Sequence, residues 1–410
     1  MKSKKWMDKY ILPSNLTNKI FENAIRIFEP WVTRPQTKAL KTVLRWLRKN
    51  STTIISHIHT HTIETKKFIE KISNHLWNID IIKTVEKKAK LCIQKTMEEN
   101  KKEWNRNIIA YDESDIFKPD AKCMPWLSRV RDWSTGLTWN WYITRWVNVN
   151  WYITRWVNVN WISLYSHLEE VLDRKGNKWE KTIETIKKVQ IDLWKQAWLY
   201  LMDRWADDIK VINFLVKEEE KFIIRMKKNR NLVNLKNWKT TKITWFKQWK
   251  HNVKIWETEV ILHVYKKPWR ESPILLITND KVIGTKETVV LYLKRWKVEE
   301  DFKKMKELWL EEIRLLNFMK IKNLIAMIQF IIILWQDMYE KVVDKVDPTY
   351  EHIYLYFKNF TKRKSLTQNP TSFIKFISFS LEHYDGYNVS LKPEYWLFWG
   401  KKEMKKLGMI

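Results

Sequence analysis

Residues 292–306 read YLKRWKVEEDFKKMK, and the geometry of this stretch decides what the rest of the chain must be. Wound as an α-helix, it places Arg295, Glu299 and Lys306 at about −60°, −20° and −40° from Tyr292. All four share one narrow face. Val298, Phe302 and Met305 form an apolar stripe beside it, at about −80 to −140°. One carboxylate among cationic and phenolic groups, on an edge beside the core, suits a metal-binding acid flanked by phosphate-binding side chains. A solvated charged helix face has the same composition, so the helix alone leaves both readings open.

Two aspartates upstream narrow the choice. IIAYDESDI, 108–116, is a β-branched apolar run ending in acids: a strand with Asp112 near its end. AWLYLMDR, 197–204, is a short buried strand delivering Asp203. The intervals are 91 residues from Asp112 to Asp203 and 96 from Asp203 to Glu299. Two hard carboxylates on strand ends and one on a helix form the arrangement that binds two Mg²⁺ or Mn²⁺ ions for phosphoryl transfer.

The flanking segments alternate. WEKTIETIKKVQIDLW (179–194) is helical, DDIKVINFLVKEEE (207–220) is helical and KFIIRMKKN (221–229) is a strand. Residues 231–290 are strand-rich and basic, with a β-rich insertion at about 231–285. A long helix is expected from about Thr288 to Leu308 and another at about 317–342. This alternation predicts an α/β core. Residues 1–105 read as a basic, mostly helical region whose polar turn at 49–51 gives a weak helix-turn-helix pattern; an ordinary helical hairpin fits equally. His57, His59 and His61 would point in different directions on a helix, so no metal site is read there. The division expected is 1–105, 106–345 and a mostly helical 346–410.

Lys plus Arg is 76 and Asp plus Glu is 47, so the net charge is 76 − 47 = +29. A polyanion is the partner this implies, nucleic acid before an anionic membrane surface. Basic drift in a lysine-biased genome would give the same excess. Cys92 and Cys123 form no metal spacing or disulfide framework, which fits a reducing cytoplasm. The N-terminus is basic without an apolar core of the signal-peptide kind. The run IAMIQFIIILW (325–335) is too short to span a bilayer, so a core helix is expected and membrane insertion is not.

One count is out of range. Glycine is 6 of 410 and tryptophan is 27; average usage of roughly 7% would give about 29 glycines. Many Trp letters therefore look like glycine positions. Asn-Trp recurs at 140–141, 150–151 and 160–161, where Asn-Gly would be a strong hairpin signal. Trp269 follows Pro268 as in a type II turn. Trp309 lies where the glycine closing the signature helix belongs. The expectation is a UGA codon written as Trp where the source reads Gly. The alternative is that all are tryptophans. Residues 141–150 and 151–160 are the same ten letters twice, an even insertion that keeps strand register. A slippage duplication explains it more simply than a functional second copy.

Tyr-x2-Arg-x3-Glu-x6-Lys, as Tyr292, Arg295, Glu299 and Lys306, resembles the YREK signature of the insertion sequence 4 family of DDE transposases. IAYDESDIFKP, LMDRWADD, FIIRMKKN and LLITND are also similar to that family, over roughly residues 30–340. The resemblance implies an RNase H-like catalytic core interrupted by a β-rich insertion, with an N-terminal helical DNA-binding region. It implies that Asp112, Asp203 and Glu299 hold two Mg²⁺ (or Mn²⁺) ions. Arg295 and Lys306 would contact phosphates of the transposon end, Tyr292 would position the strand, and Arg225 would be a further DNA contact. The implied reaction is hydrolysis at the transposon end, then attack of the freed 3′-OH on target DNA. The implied partners are double-stranded DNA, both transposon ends and target, and a second copy in a synaptic homodimer. The implied location is cytoplasmic and nucleoid-associated. The family pattern expects glycine at Trp133, Trp139, Trp141, Trp205 and Trp309 and an aromatic at Trp296. Taken as written, Trp205 crowds the metal site. A catalytically inactive DNA-binding remnant, or a nuclease on the same fold, remain as alternatives.

Overall fold

The computed structural model describes residues 33–50, 81–103, 106–116, 152–159, 162–169, 178–193, 198–266, 272–299, 317–346 and 348–368, with a few isolated positions besides. In chain order the elements are α1 (Arg34–Asn50), α2 (Ile81–Lys102), β1 (Ile108–Ile116), β2 (Tyr152–Val159), β3 (Ile162–Glu169) and α3 (Lys178–Leu193). There follow β4 (Leu199–Met202), α4 (Ile209–Lys217), β5 (Lys221–Arg225), β6 (Asn231–Asn234), β7 (Lys239–Lys242), β8 (Trp249–Ile255), β9 (Thr258–Tyr265) and β10 (Ile274–Thr278). The last three are α5 (Thr285–Leu293), α6 (Phe318–Val343) and α7 (Pro348–Lys364).

The strands form one mixed sheet in the order β3-β2-β1-β4-β5-β10-β9-β8-β6-β7. β1, β4 and β5 are parallel neighbours, and β2 and β3 continue antiparallel from β1. This is an α/β core, as the alternation in the sequence predicts. Parallel strands covered on both faces need unbroken apolar runs. β4 is buried at every position, and so are Ile108–Tyr111 of β1 and Phe222–Ile224 of β5. The helices carry period-3.6 stripes instead. Ile81, Val85, Ala89 and Ile93 form the buried stripe of α2, and Ile186, Val189 and Leu193 that of α3.

The β-rich block expected near 231–285 is present as β6 to β10, and it lengthens the core sheet: β10 pairs antiparallel with β5 on one side and β9 on the other. The outer strand, β7, reads KTTK and is largely exposed. Lysines on an edge discourage pairing with another chain.

Two expectations are corrected. β1 spans the whole expected run, Ile108–Ile116, but Asp112 lies at its middle rather than near its end, because β2 pairs with it on to Ile116. The helix expected from about Thr288 to Leu308 is not continuous: α5 ends at Leu293, a turn occupies 294–295 and helix resumes over 296–299. Backbone bonds there span three residues, as in Arg295 N–H to Tyr292 C=O (3.0 Å) and Val298 N–H to Arg295 C=O (2.9 Å). Such tighter winding brings side chains at i and i+3 into line. Lys306, the first decamer copy, the histidine series and residues beyond Asn50 in the helix-turn-helix pattern lie outside the described residues.

The chain divides into a unit formed by Ile25–Asp337 and another formed by Met1–Ala24 with Met338–Ile410. The second unit has its own aromatic core, in which Phe357 meets Tyr339 and Phe373 edge to face. α6 is long and apolar enough to cross a membrane by length and composition, but 78% of its apolar window is buried inside the protein. That is the behaviour of a core helix. The short apolar run at 325–335 is thus the middle of a longer one.

The backbone bears directly on the tryptophan letters. Six residues other than glycine have positive φ among the described residues. Glu219, Lys345 and Ser365 sit just past helix ends, where the left-handed conformation is the usual stop. The other three are all tryptophans: Trp238 (58°), Trp249 (111°) and Trp256 (54°). Trp238 closes the loop between β6 and β7. Trp256 is the first of the two residues joining β8 to β9, where both common hairpin turns need φ > 0. All three are exposed, at 70%, 58% and 76%, while Trp198 and Trp335 are buried in the core. Gly284, in contrast, has φ −84°, which suits any residue.

Each such tryptophan carries strain of about 1–3 kcal/mol that glycine would not. Replacing Trp238, Trp249 and Trp256 together by glycine is expected to raise the midpoint of urea unfolding. A lowered midpoint would show that these side chains stabilise the turns they occupy.

Candidate active site

Asp112 and Asp203 are brought together by strand register. The parallel ladder between β1 and β4 ends with Tyr111 opposite Met202. The next residue in each case is an aspartate: Asp203 follows the last residue of β4, and Asp112, still paired with β2 in mid-strand, lies just past the point where β4 stops. In open α/β sheets this carboxyl-end crevice is where ligands bind. Arg225 closes β5, the strand beside β4, and its Nη1 lies 3.7 Å from Asp203 Oδ1.

The signature stretch meets this edge from above. Tyr292 is buried, and its hydroxyl donates to Asp203 Oδ1 at 2.9 Å. Arg295 is only 3% exposed. Its Nη1 donates to Asp112 Oδ2 at 2.5 Å and its Nη2 to Glu299 Oε1 at 2.6 Å. One guanidinium thus ties the strand-borne acid to the helix-borne one. Tyr292, Arg295 and Glu299 do converge, as the sequence predicts, but on the carboxylates and not on an open surface.

The electrostatics follow from this arrangement. Burial pushes the Asp203 carboxyl up, but the Arg204 backbone N–H, the Arg295 charge, the Tyr292 hydroxyl and the Arg225 charge outweigh it, and its pKa is lowered. Burial, with the Asp203 charge and hydrogen bond, pushes the Tyr292 phenol up to about 12, against the pull of Arg295. Tyr292 is therefore a donor at neutral pH. For Arg295 burial works against the charge, but Asp112, Tyr292, Asp203 and the bond to Glu299 raise its pKa above the ordinary arginine value.

Asp112, Asp203 and Glu299 are all hard oxygen donors, the ligand chemistry of Mg²⁺ and Mn²⁺. The donor types fit those ions. The spacing is that of acids held by guanidinium and phenol: among the described residues no three acidic, His or Cys side chains form a ready cage.

Trp205 enters this site through the 3₁₀ turn Arg204–Ala206 that follows Asp203. Its Nε1–H lies 3.3 Å from Asp112 Oδ1, and its ring stands edge-on against Tyr111 at 4.7 Å. The crowding expected around Asp203 falls on Asp112.

Asp207 escapes a reading of the sequence by motif. Buried at 1% exposure, its carboxylate accepts from Lys227 N–H (2.9 Å) and Arg230 Nε (3.0 Å), and its carbonyl accepts from Arg230 Nη2 (2.6 Å). The turn after Asp203 is thereby pinned to the segment leaving β5. The signal was the doublet Asp207-Asp208. Asp208 caps α4 through Lys210 N–H, and only one of two adjacent acids can do that.

Because the folded pKa of Asp203 lies below its ordinary value of 3.8, its contacts stabilise the fold above that pH. The contribution is lost as pH falls through the folded pKa. Tyr292→Phe removes one donor, so carboxyl ¹³C NMR is expected to show Asp203 titrating at higher pH, and acid unfolding to begin earlier. An unchanged titration would mean that Tyr292 does not bear on this carboxylate. Asp207→Ala is expected to cost about 2 kcal/mol in urea unfolding, from lost bonds to a charged group.

Comparisons with known proteins bear on this geometry. No curated protein matches the sequence. Among solved structures the chain is similar to piggyBac transposase in a synaptic complex with hairpin DNA, at 10% identity and a TM-score of 0.46, over 89% of this chain and 75% of that one. The family model described as Transposase DDE domain matches residues 176–335, a span that holds Asp203, Arg225, Tyr292, Arg295 and Glu299.

Proposed function

We propose that the protein is a DNA transposase of the insertion sequence 4 type, with Asp112, Asp203 and Glu299 as its catalytic acids. The observation that carries this reading is that Asp112 and Asp203 each follow the last paired residues of the parallel β1–β4 ladder, with Glu299 joined to Asp112 through Arg295. The three acids would hold two Mg²⁺ or Mn²⁺ ions, which when bound activate the attacking oxygen and stabilise the leaving one. Tyr292 fixes the Asp203 carboxylate through its hydroxyl. Arg225 and Arg295 lie at the same edge and would meet backbone phosphates, with Lys306 beyond them. The substrates are the element's own DNA ends and a target duplex, handled by a homodimer at the nucleoid. The reaction is hydrolysis at the end, then attack of the freed 3′-OH on target.

The charge of +29 supports tight, salt-sensitive DNA binding. The basic helical region 1–105 and the β-rich extension would supply phosphate contacts on either side of the catalytic region 106–345.

The glycine reading belongs to the same proposal. Positive φ at Trp238, Trp249 and Trp256 supports glycine at these three positions, which join those that the sequence pattern singles out. The Trp205 indole against Asp112 supports glycine there on grounds of space, since its backbone is not left-handed. The same contact favours a second reading for the chain as written, a DNA-binding remnant whose first acid is obstructed. Codons at the source gene separate them: TGA at positions 205, 238, 249 and 256 with TGG at Trp198, Trp296 and Trp335 supports the active enzyme. TGG throughout supports the remnant.

A strand-transfer assay with pre-cleaved ends and Mn²⁺ tests the activity. Joining by the Trp205→Gly protein is expected, falling at least ~100-fold in Glu299→Gln, the scale of losing an essential catalytic group. Cutting without joining would assign a nuclease, and DNA binding without either would assign the remnant.

A further inference from the structure

The arginines that should face DNA are already engaged. Arg295 is buried and spends both prongs of its fork on Asp112 and Glu299. Arg225 leans on Asp203. Two guanidiniums thus partly offset three carboxylates within one site. Arg295 Nε is also buried with no hydrogen-bond acceptor among the described residues. A buried donor left unmade costs free energy. This arrangement offsets the acids only in part and leaves one donor of the cation unsatisfied.

From this we infer that Arg295 is an exchangeable internal counter-ion: it holds the acids in the metal-free protein, and divalent metal and DNA phosphate take over its two sets of partners together. This inference rests on the proposed function. Divalent cations arriving at Asp112 and Glu299 meet a guanidinium already bound to the same oxygens. Like charges at such separations repel strongly in a dry site, so metal and Arg295 compete for the carboxylates. Once displaced, the guanidinium needs acceptors for both Nη groups, and a phosphate can accept from the two at once. Metal then promotes DNA binding, and by thermodynamic reciprocity DNA promotes metal binding by the same factor. A protein built this way leaves its metal site closed until DNA is present, which would suppress stray cutting. Arg225, on the less buried Asp203 pair, would follow the same exchange.

Mn²⁺ binding to the full chain, read from the free-ion EPR signal, tests this. It is measured with and without a short duplex of unrelated sequence, whose own Mn²⁺ uptake is subtracted. In the wild-type protein the duplex is expected to raise Mn²⁺ affinity at least ~5-fold. Arg295→Gln is expected to bind Mn²⁺ more tightly than wild type without DNA, and to lose the enhancement by DNA. Arg295→Lys keeps a cation but gives up the fork, and is expected to lie between; it serves if the glutamine variant does not fold. Equal or weaker Mn²⁺ binding in these variants, with the DNA enhancement intact, would overturn the exchange while leaving the proposed function standing. Mn²⁺ uptake that is the same in wild type, Glu299→Gln and Asp112→Asn would overturn the inference together with the active-site reading beneath it.

Discussion

The site depends on one buried guanidinium. Arg295 joins Asp112 on the central strand to Glu299 on the signature helix. Without it, acids delivered by separate elements would face each other unscreened at the end of the sheet. The surrounding features serve that junction. The β1–β4 register sets where Asp112 and Asp203 emerge. The tight winding at 294–298 aligns Tyr292 with Arg295 so that phenol and guanidinium reach different carboxylates. The Asp207–Arg230 pair anchors the turn that follows Asp203. A buried ion pair of this kind is seldom a source of net stability, because desolvation offsets the attraction. Its value here is in position.

The elements of the core were legible in the sequence because they are local. Apolar runs such as LYLM and FII announce strands covered on both faces, and the stripes of α2 and α3 recur every three or four residues. The candidate acids were singled out through spacing and a resemblance. The role of Arg295 was not: its partner Asp112 lies 183 residues away, and no local pattern shows that a cation assigned to DNA is first engaged by a carboxylate. The break in the signature helix was hidden for a different reason. Residues 292–299 have ordinary helical composition, so no letter among them marks the break. The pairing of β10 with β5 was equally non-local, since an insertion's strands look the same whether they extend a sheet or form a separate one.

Tryptophan illustrates how sequence and backbone complement each other. Composition shows that glycine is scarce and tryptophan abundant, without saying which letters are misplaced. Asn-Trp pairs mark some turns. Trp249 and Trp256 carry no such neighbour, and only their φ angles single them out. Trp205 stands apart, with an acceptable backbone and a side chain on a catalytic candidate. For the site it is the consequential one, because Asp112 cannot offer the same oxygen freely to both an indole N–H and a cation.

The central claim is that Asp112, Asp203 and Glu299, from three separate elements, act as one metal site. The most direct test is the EPR spectrum of bound Mn²⁺ in the Trp205→Gly protein, compared with the same protein carrying Asp112→Asn, Asp203→Asn or Glu299→Gln. One class of bound Mn²⁺ that is weakened or altered by each of the three substitutions is the predicted result. A bound Mn²⁺ signal indifferent to all three would contradict the account.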